Sequence, residues 1–341
     1  MVHLRIVAPA ETAADVLECL ACSRAAINLV HLPGVARRPD GDLILCDVAR
    51  EDASVVIADL RALHVDRDGS IAVQDVDTSV SHAAERAEEE AEGSPADAVI
   101  WEDVAAKTSE SAELSGAFLT FMVLATLIAS VGIYLDSAIL VVGAMVVGPE
   151  FGAVAGFCVG VVQRRGKLAR ASGLALLVGF PLGIAAVVVS SLVFKATGVT
   201  PGTFTEADHS LSTTIANPDF FAFFVAFCAG IAGMLSLTTA KSGALIGVFI
   251  SVTTIPASAN IGVAAAYQDW SAFRGSLAQL LINLASLLVA GVLTLLVQRR
   301  LYARRRRDYR RVQARMRAGD DPSPPPGAPE ATEPPAPSPV A

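Results

Sequence analysis

Residues 115–162 read SGAFLTFMVLATLIASVGIYLDSAILVVGAMVVGPEFGAVAGFCVGVV, and Asp136 and Glu150 are the only charged residues in the stretch. One helical crossing of a bilayer takes about 20 mostly apolar residues, so this length predicts two crossings folded back on each other at Asp136-Ser137. The second arm is rich in small residues. Its Gly152-x-x-x-Gly156-x-x-x-Gly160 stripe predicts that another helix comes close. Near the middle of that arm the order Gly148-Pro149-Glu150 interrupts the apolar run with a helix breaker and a carboxyl.

The rest of the chain agrees with lipid as a solvent. Of its 341 residues 53% are hydrophobic and 18% charged, and the mean hydropathy is +0.52. Soluble domains carry roughly 25% charge. Six segments meet the crossing length: about 115–135, 137–162, 168–195, 219–240, 243–267 and 272–297. Basic residues stay with cytoplasmic loops, which orients the set. Arg164, Arg165, Lys167 and Arg170 join the second and third segments, and Arg299, Arg300 and Arg304 to Arg307 follow the sixth. The long third-to-fourth connection holds Glu206 and Asp208 and leads to Asp219, without Lys or Arg. Both termini are therefore expected in the cytoplasm, and the protein in the plasma membrane of a bacterial cell. Residues 299–317 read as a basic juxtamembrane segment that anchors the inner face and contacts anionic lipid, rather than as a nucleic-acid patch. Residues 318–341, rich in Pro, Ala and Ser, are expected to be disordered.

Residues 1–78 look soluble. The strand-like runs 4–9, 26–31, 43–49 and 71–76 alternate with helical periodicities at 11–24 and 52–64. The order β-α-β-β-α-β predicts a small α+β ferredoxin-like domain, two helices on one face of a four-stranded sheet. The start of the chain shows no basic n-region, long apolar core or cleavage site, so this domain is expected to remain cytoplasmic. Five cysteines fit a reducing compartment. Cys19-x-x-Cys22, with Cys46 on the sheet below, reads as small buried residues, because a zinc site wants a second pair. His3, His31 and His64 are scattered and suggest no site. An acidic connector, 79–113, follows. It contains the solvated run Glu85-Arg86-Ala87-Glu88-Glu89-Glu90, a break at Gly93-Ser94-Pro95, and an amphipathic piece (Val99, Ile100, Trp101, Val104) suited to a membrane surface. The six-span domain then occupies 114–298.

An internal repeat organises the spans. Asp136-Ser137 through Gly156 (DSAILVVGAMVVGPEFGAVAG) parallels Lys241-Ser242 through Gly262 (KSGALIGVFISVTTIPASANIG). Each copy has a charged residue and Ser at a tight hairpin, an apolar run, then a proline, Pro149 or Pro256, followed by small residues. Three spans per copy is an odd number, so the two copies must lie inverted in the membrane. Inverted repeats with helices broken at corresponding places carry midplane sites in many secondary transporters. Glu150, Pro149, Pro256, Asn260, Thr253 and Thr254 are the candidates for such a solute or ion path. A carboxyl at membrane depth costs on the order of 3 kcal/mol to insert and tends to mark a path; a structural hydrogen-bonded carboxyl is the competing reading. Asp136 and Lys241 are secondary candidates that also read as hairpin caps at the water boundary.

Trp101-Glu102-Asp103-Val104, followed by LIASVGIYLDSAILVVGAMVVGPEFG, resembles the domain of unknown function 389 family of bacterial and archaeal hydrophobic membrane proteins. The resemblance covers roughly 98–297. It implies a membrane location and no established activity, and it supplies no catalytic residues to carry over. Many members have Ser-Pro or Ala-Pro and then an apolar residue where this chain has Gly148-Pro149-Glu150, so Glu150 departs from that pattern.

The sequence contains no metal-ligand cluster at useful spacing, no nucleophile elbow and no phosphate-binding glycine loop, so an enzyme is not expected, nor a cofactor or metal. The leading expectation is a carrier or channel for a small solute or ion. The alternative is a membrane-anchored sensor whose front domain binds a cytoplasmic metabolite. Membrane lipid, the solute or ion and a second copy of the chain are the expected partners; nucleic acid is not.

Overall fold

Alternation along the first strand sets the soluble half. A computed structural model of the chain describes residues 1–23, 25–76, 81–91, 98–200, 210–217, 219–239 and 253–317. In β1 (Val2–Ala8), Val2, Leu4, Ile6 and Ala8 are fully buried while Arg5 is exposed. This is the period of a strand with one covered face. β3 (Asp40–Val48) answers with Ile44, Cys46 and Val48, and the register pairs Leu4 with Cys46 and Ile6 with Ile44. With β2 (Ala26–Arg37) and β4 (Ser70–Asp75) the strands lie in the order β2-β3-β1-β4, all neighbours antiparallel. That order follows when each of two helical crossovers skips one strand, which is the split unit the sequence predicts. The crossovers are α1 (Ala10–Ala21) and α2 (Arg50–Ala62). They set Val16, Leu20, Val56, Ile57 and Leu60 on the apolar face of the sheet.

β2 is twice the length that its apolar run predicts. It continues through Pro33 and Gly34 with register shifts between Ile27 and Val30 and between Leu32 and Ala36. An edge strand tolerates a residue without an N–H, and bulges absorb it. A short helix, α3 (Val65–Asp68), precedes β4, and α4 (His82–Glu90) lays Ala84 and Ala87 inward while Glu85 stays exposed. The Met1 ammonium meets Glu88 at 3.1 Å.

α5 (Trp101–Ser111) departs from the expected membrane-surface helix. Ile100 just before it joins the core of the front domain, Val104 joins the core of the helical half, and the Trp101 ring packs edge-on against Tyr302. Its apolar face is covered by protein, so the piece is a joint between the two halves.

The helical half begins with α6 (Gly116–Tyr134), α7 (Ala138–Val147), α8 (Glu150–Val162) and α9 (Gly166–Thr197). It continues with α10 (Ser210–Ala216), α11 (Phe220–Thr238), α12 (Thr254–Tyr267) and α13 (Trp270–Arg317). Among the described residues four helices are long and apolar enough to cross a membrane: α6, α9, α11 and residues 270–304 of α13. α7 and α8 together make a fifth, bent by 46° at their break. For the fifth expected crossing, 243–267, the described part is α12; its 14 residues rise about 21 Å, short of a hydrocarbon core of about 30 Å. Residues 240–252, with Lys241 and the apolar run of the second repeat copy, lie outside the described residues, as do Glu206, Asp208, Gly93-Ser94-Pro95 and the 318–341 tail. The basic segment is no separate piece: α13 runs as one helix from Trp270 to Arg317.

Large side chains face outward from these helices, among them Leu177 (72% exposed), Phe221 (70%) and Phe220 (69%). Water would not tolerate so continuous an apolar surface, whereas lipid does. Inside, the small-residue stripe does what its spacing predicts. A Cβ on Gly152 would lie 2.7 Å from Ser111 Cβ, one on Gly156 2.6 Å from Ser172 Oγ and 2.7 Å from Ala112 Cβ, and one on Gly160 2.6 Å from the Ala169 backbone nitrogen. α5 and the start of α9 therefore both close on α8.

Candidate functional site

The break between α7 and α8 follows from Pro149. Proline cannot continue a helix and pushes the residue before it to extended backbone. Gly148 accordingly ends α7 at φ −63°, ψ 130°, and Pro149 caps the start of α8. Glu150 is then the first residue of α8, where an acidic side chain complements the positive end of the helix dipole. α7 has 10 residues and rises about 15 Å from the Asp136 hairpin, so the break falls about halfway through a hydrocarbon layer of about 30 Å.

α12 is built likewise. Thr253 caps it, Thr254 is its first residue, and Pro256 stands in its first turn, where no N–H partner is lost. The two prolines therefore mark helix starts, not kinks within continuous helices. The two helices also run in opposite senses. Gly160, toward the end of α8, abuts Ala169 near the start of α9. Gly262 of α12 abuts Val187 farther along α9, and the Tyr267 ring lies 4.9 Å from Lys195 Nζ near its end.

The starts meet directly. Thr254 Oγ1 donates to Glu150 Oε1 at 2.8 Å, and both side chains are buried, Glu150 at 6% exposure and Thr254 at 0%. Among the described residues Glu150 Oε2 has no hydrogen-bond partner. The carboxyl folds back over Gly148, where a Cβ would stand 2.3 Å from Oε2. The adjoining Thr253 Oγ1 accepts from Asn283 Nδ2 at 2.6 Å and from Gln279 Nε2 at 3.3 Å, and Gln279 Oε1 has no partner among the described residues.

Glu150, Pro149, Thr253, Thr254 and Pro256 are thus brought to one place. Asn260 is not. Six residues on, about 9 Å along α12, its Oδ1 accepts from Ser212 Oγ at 2.9 Å and its Nδ2 donates to Ser276 Oγ at 2.8 Å. That second knot holds α10 against α12 and α13. Asp136 serves the same end, because its carboxylate accepts from Ser210 Oγ at 2.8 Å and from Leu211 N at 2.9 Å. It thereby caps α10 across the fold. Gln279 and Asn283 were missed by the sequence reading. Their signal is a polar stripe in an apolar helix, Ser276, Gln279, Asn283 and Ser286 at helical spacing, all buried.

In the front domain Cys46 is fully buried, and Cys19 and Cys22 are half-buried. Burial, and then the charge of Asp47, pushes the Cys46 thiol up to about 12. Among the described residues no group of three His, Cys, Asp or Glu side chains could hold a metal ion. Two histidines find partners on the sheet: His3 Nδ1 lies 2.7 Å from Asp47 Oδ1, and His31 Nε2 lies 2.8 Å from Asp42 Oδ2.

A mostly helical chain with four or five apolar helices of crossing length, preceded by a small antiparallel sheet domain, is compatible with a multi-pass membrane protein. Residues 145–289 match the family described as Domain of unknown function (DUF389), the family that the hairpin motif resembles. An uncharacterised protein of Methanocaldococcus jannaschii is 26% identical over 215 residues, an alignment that covers 60% of this chain and 61% of that relative. The chain thus spans about three fifths of the length of that curated relative. No solved structure matches.

Proposed function

We propose that the protein is a membrane carrier or channel for a small solute or ion, with its site at the meeting of α8 and α12. The observation that carries this reading is the Glu150–Thr254 contact, where two helix starts from the two expected repeat copies converge inside the bundle. In this reading the chain crosses the membrane six times as two inverted three-helix repeats. Both ends lie in the cytoplasm of a bacterial cell, because the basic residues gather at Arg164–Arg170 and after Gln298. The protein is not an enzyme and works without cofactor or metal, embedded in lipid, alone or with a second copy of itself.

One observation favours a second reading, that the front domain senses a cytoplasmic metabolite. α13, which carries Gln279 and Asn283, also touches α2: Tyr302 Oη donates to Ser54 O at 3.0 Å, and Arg306 pairs with Asp59 at 3.5 Å.

A thermal-shift screen of the full chain in detergent separates the two, since a ligand that binds the native state raises its melting temperature. Sodium, potassium, chloride, nitrate, amino acids and nucleotides are the probes. A stabilising probe that loses its effect in Glu150→Gln supports the carrier reading. One that keeps its effect there and protects the amides of residues 1–76 from exchange, and not those of α8 and α12, supports the sensor, and the carrier reading fails.

A further inference from the structure

We propose that the solute taken at the α8–α12 site is a small monovalent anion, and that Glu150 is the tethered anion it replaces when the carboxyl takes up a proton. This inference rests on the carrier reading above and adds the charge of the cargo. A helix start leaves its first N–H groups without intrahelical partners and carries roughly half a positive charge. Two starts directed at one point together amount to about one positive charge, and the two helices begin at Glu150 and Thr254. The site thus attracts one negative charge, and the carboxylate of Glu150 is the group that now supplies it.

No side chain competes for that role. Among the described residues Glu150 is the one acidic or basic side chain buried in the helical half. α7 and α12 carry no charged residue. On the other helices packed against α8, the charged groups nearest in sequence to the bundle are exposed: Lys107 and Glu110 on α5, Lys167 and Arg170 on α9, and Arg274 and Arg299 on α13. Cys158, the next titratable group along α8, turns its Sγ to Leu288 O at 3.7 Å. Lys241 lies outside the described residues.

A second observation points to the proton. Among the described residues Glu150 Oε2 and Gln279 Oε1 are buried acceptors without donors, on side chains 6% and 4% exposed. A buried acceptor left open costs free energy until a donor or a proton reaches it. While Glu150 is ionised it neutralises the helix starts and excludes a free anion. A proton from one side of the membrane bonds to Oε2, the carboxyl becomes neutral, and the positive helix starts are left to a free anion. The N–H groups of the first turns, the Thr254 hydroxyl and the Asn283 amide are donors at hand for it. When the proton leaves to the other side, the carboxylate returns and expels the anion. One proton and one anion move together, without net charge.

The test uses the full-length protein in liposomes loaded with pyranine, a pH-sensitive dye. Chloride, nitrate or methylsulfonate is added outside against gluconate inside, with sodium and potassium gradients as separate arms, and an anion electrode follows the anion. The expected result is lumen acidification driven by an inward gradient of at least one of the three anions, and absent from empty liposomes. Glu150→Gln should bring proton entry down to the rate of empty liposomes while the anion still enters. Thr254→Val, which keeps the carboxyl, should move the pH of half-maximal flux without abolishing flux. Acidification driven by sodium or potassium, with all three anions behaving as gluconate does, overturns the anion assignment and leaves the carrier reading standing. No movement in any gradient counts against both. Coupled proton and anion entry that persists in Glu150→Gln, or an unmoved pH profile in Thr254→Val, removes Glu150 from the cycle.

Discussion

At the scale of single residues, burial and partners separate groups that look alike in the sequence. Cys46 and Cys158 are buried, and Cys228 is exposed on the outward side of α11. With its thiol pushed up to about 12, Cys46 holds almost no thiolate near neutral pH. In lipid vesicles a charged maleimide should leave Cys46, Cys158 and Cys228 unmodified, and a lipid-soluble one should modify Cys228 alone of these three, as read by mass spectrometry. Modification of Cys228 by the charged reagent would mean that α11 faces water. Asp42 makes a pH prediction. The His31 side chain, then the Gly34 N–H, hold its carboxylate below the usual value of 3.8. A lowered value in the folded state gives stability that is present above the ordinary carboxylate range and is lost as pH falls through the lowered value. Asp42→Asn, which mimics the protonated carboxyl, should therefore lower the melting temperature at neutral pH and flatten its fall below about pH 4, where the variant and the wild type converge.

At the scale of elements, close approach is the testable quantity. Gly156 sits where Ala112, Thr108 and Ser172 leave no room for a Cβ, while Gly143, in the same expected span, has nothing within 4 Å. Gly156→Ala should destabilise the bundle by about 1–3 kcal/mol, the usual cost of overpacking. Gly143→Ala should cost nothing and gain helix propensity. Thermal melting of both in one detergent reads the difference, and equal melting temperatures would place α5 away from α8. The small-residue stripe was legible in the sequence because its period is that of a helix. Which helices fill it was not legible, since the partners, 108–112 and 169–172, are held there by tertiary packing alone. The element boundaries illustrate the same limit. Pro149 announced an interruption, yet that it begins a helix and does not bend one depends on where Gly148 leaves α7.

At the scale of the whole molecule, α13 ties the halves together. It reaches from the Ser276–Asn283 stripe to Tyr302 and Arg306, which meet Ser54 and Asp59 of α2. Ser54 Oγ also donates to Val99 O at 2.9 Å and accepts from Trp101 N at 3.3 Å. Tyr302→Ala removes both the hydroxyl and the ring against Trp101. It should free α2 by roughly 1–2 kcal/mol, the worth of one hydrogen bond and one aromatic contact. Faster amide exchange at Ser54–Leu60, with the exchange of α6 unchanged, is the expected reading. Exchange that is unaltered in α2 would show that the front domain does not lean on α13.

The sequence by itself determined whatever depends on composition and period. The succession of strand-like runs and helical periodicities gave a four-stranded sheet with two helices on one face, because each element's period is written along it. Long runs without charge marked the helices that need lipid, because no soluble surface has their composition. Pro149, Glu150, Pro256 and the two threonines were visible as exceptions within those runs. The tertiary structure decided which exceptions share a place. Glu150 meets Thr254 from more than a hundred residues away, Thr253 finds Gln279 and Asn283, and Asn260 goes to a different knot. The physical reason is that a polar group buried in an apolar bundle must find its partner across the fold, and sequence periodicity records which face a residue occupies but not what that face will meet.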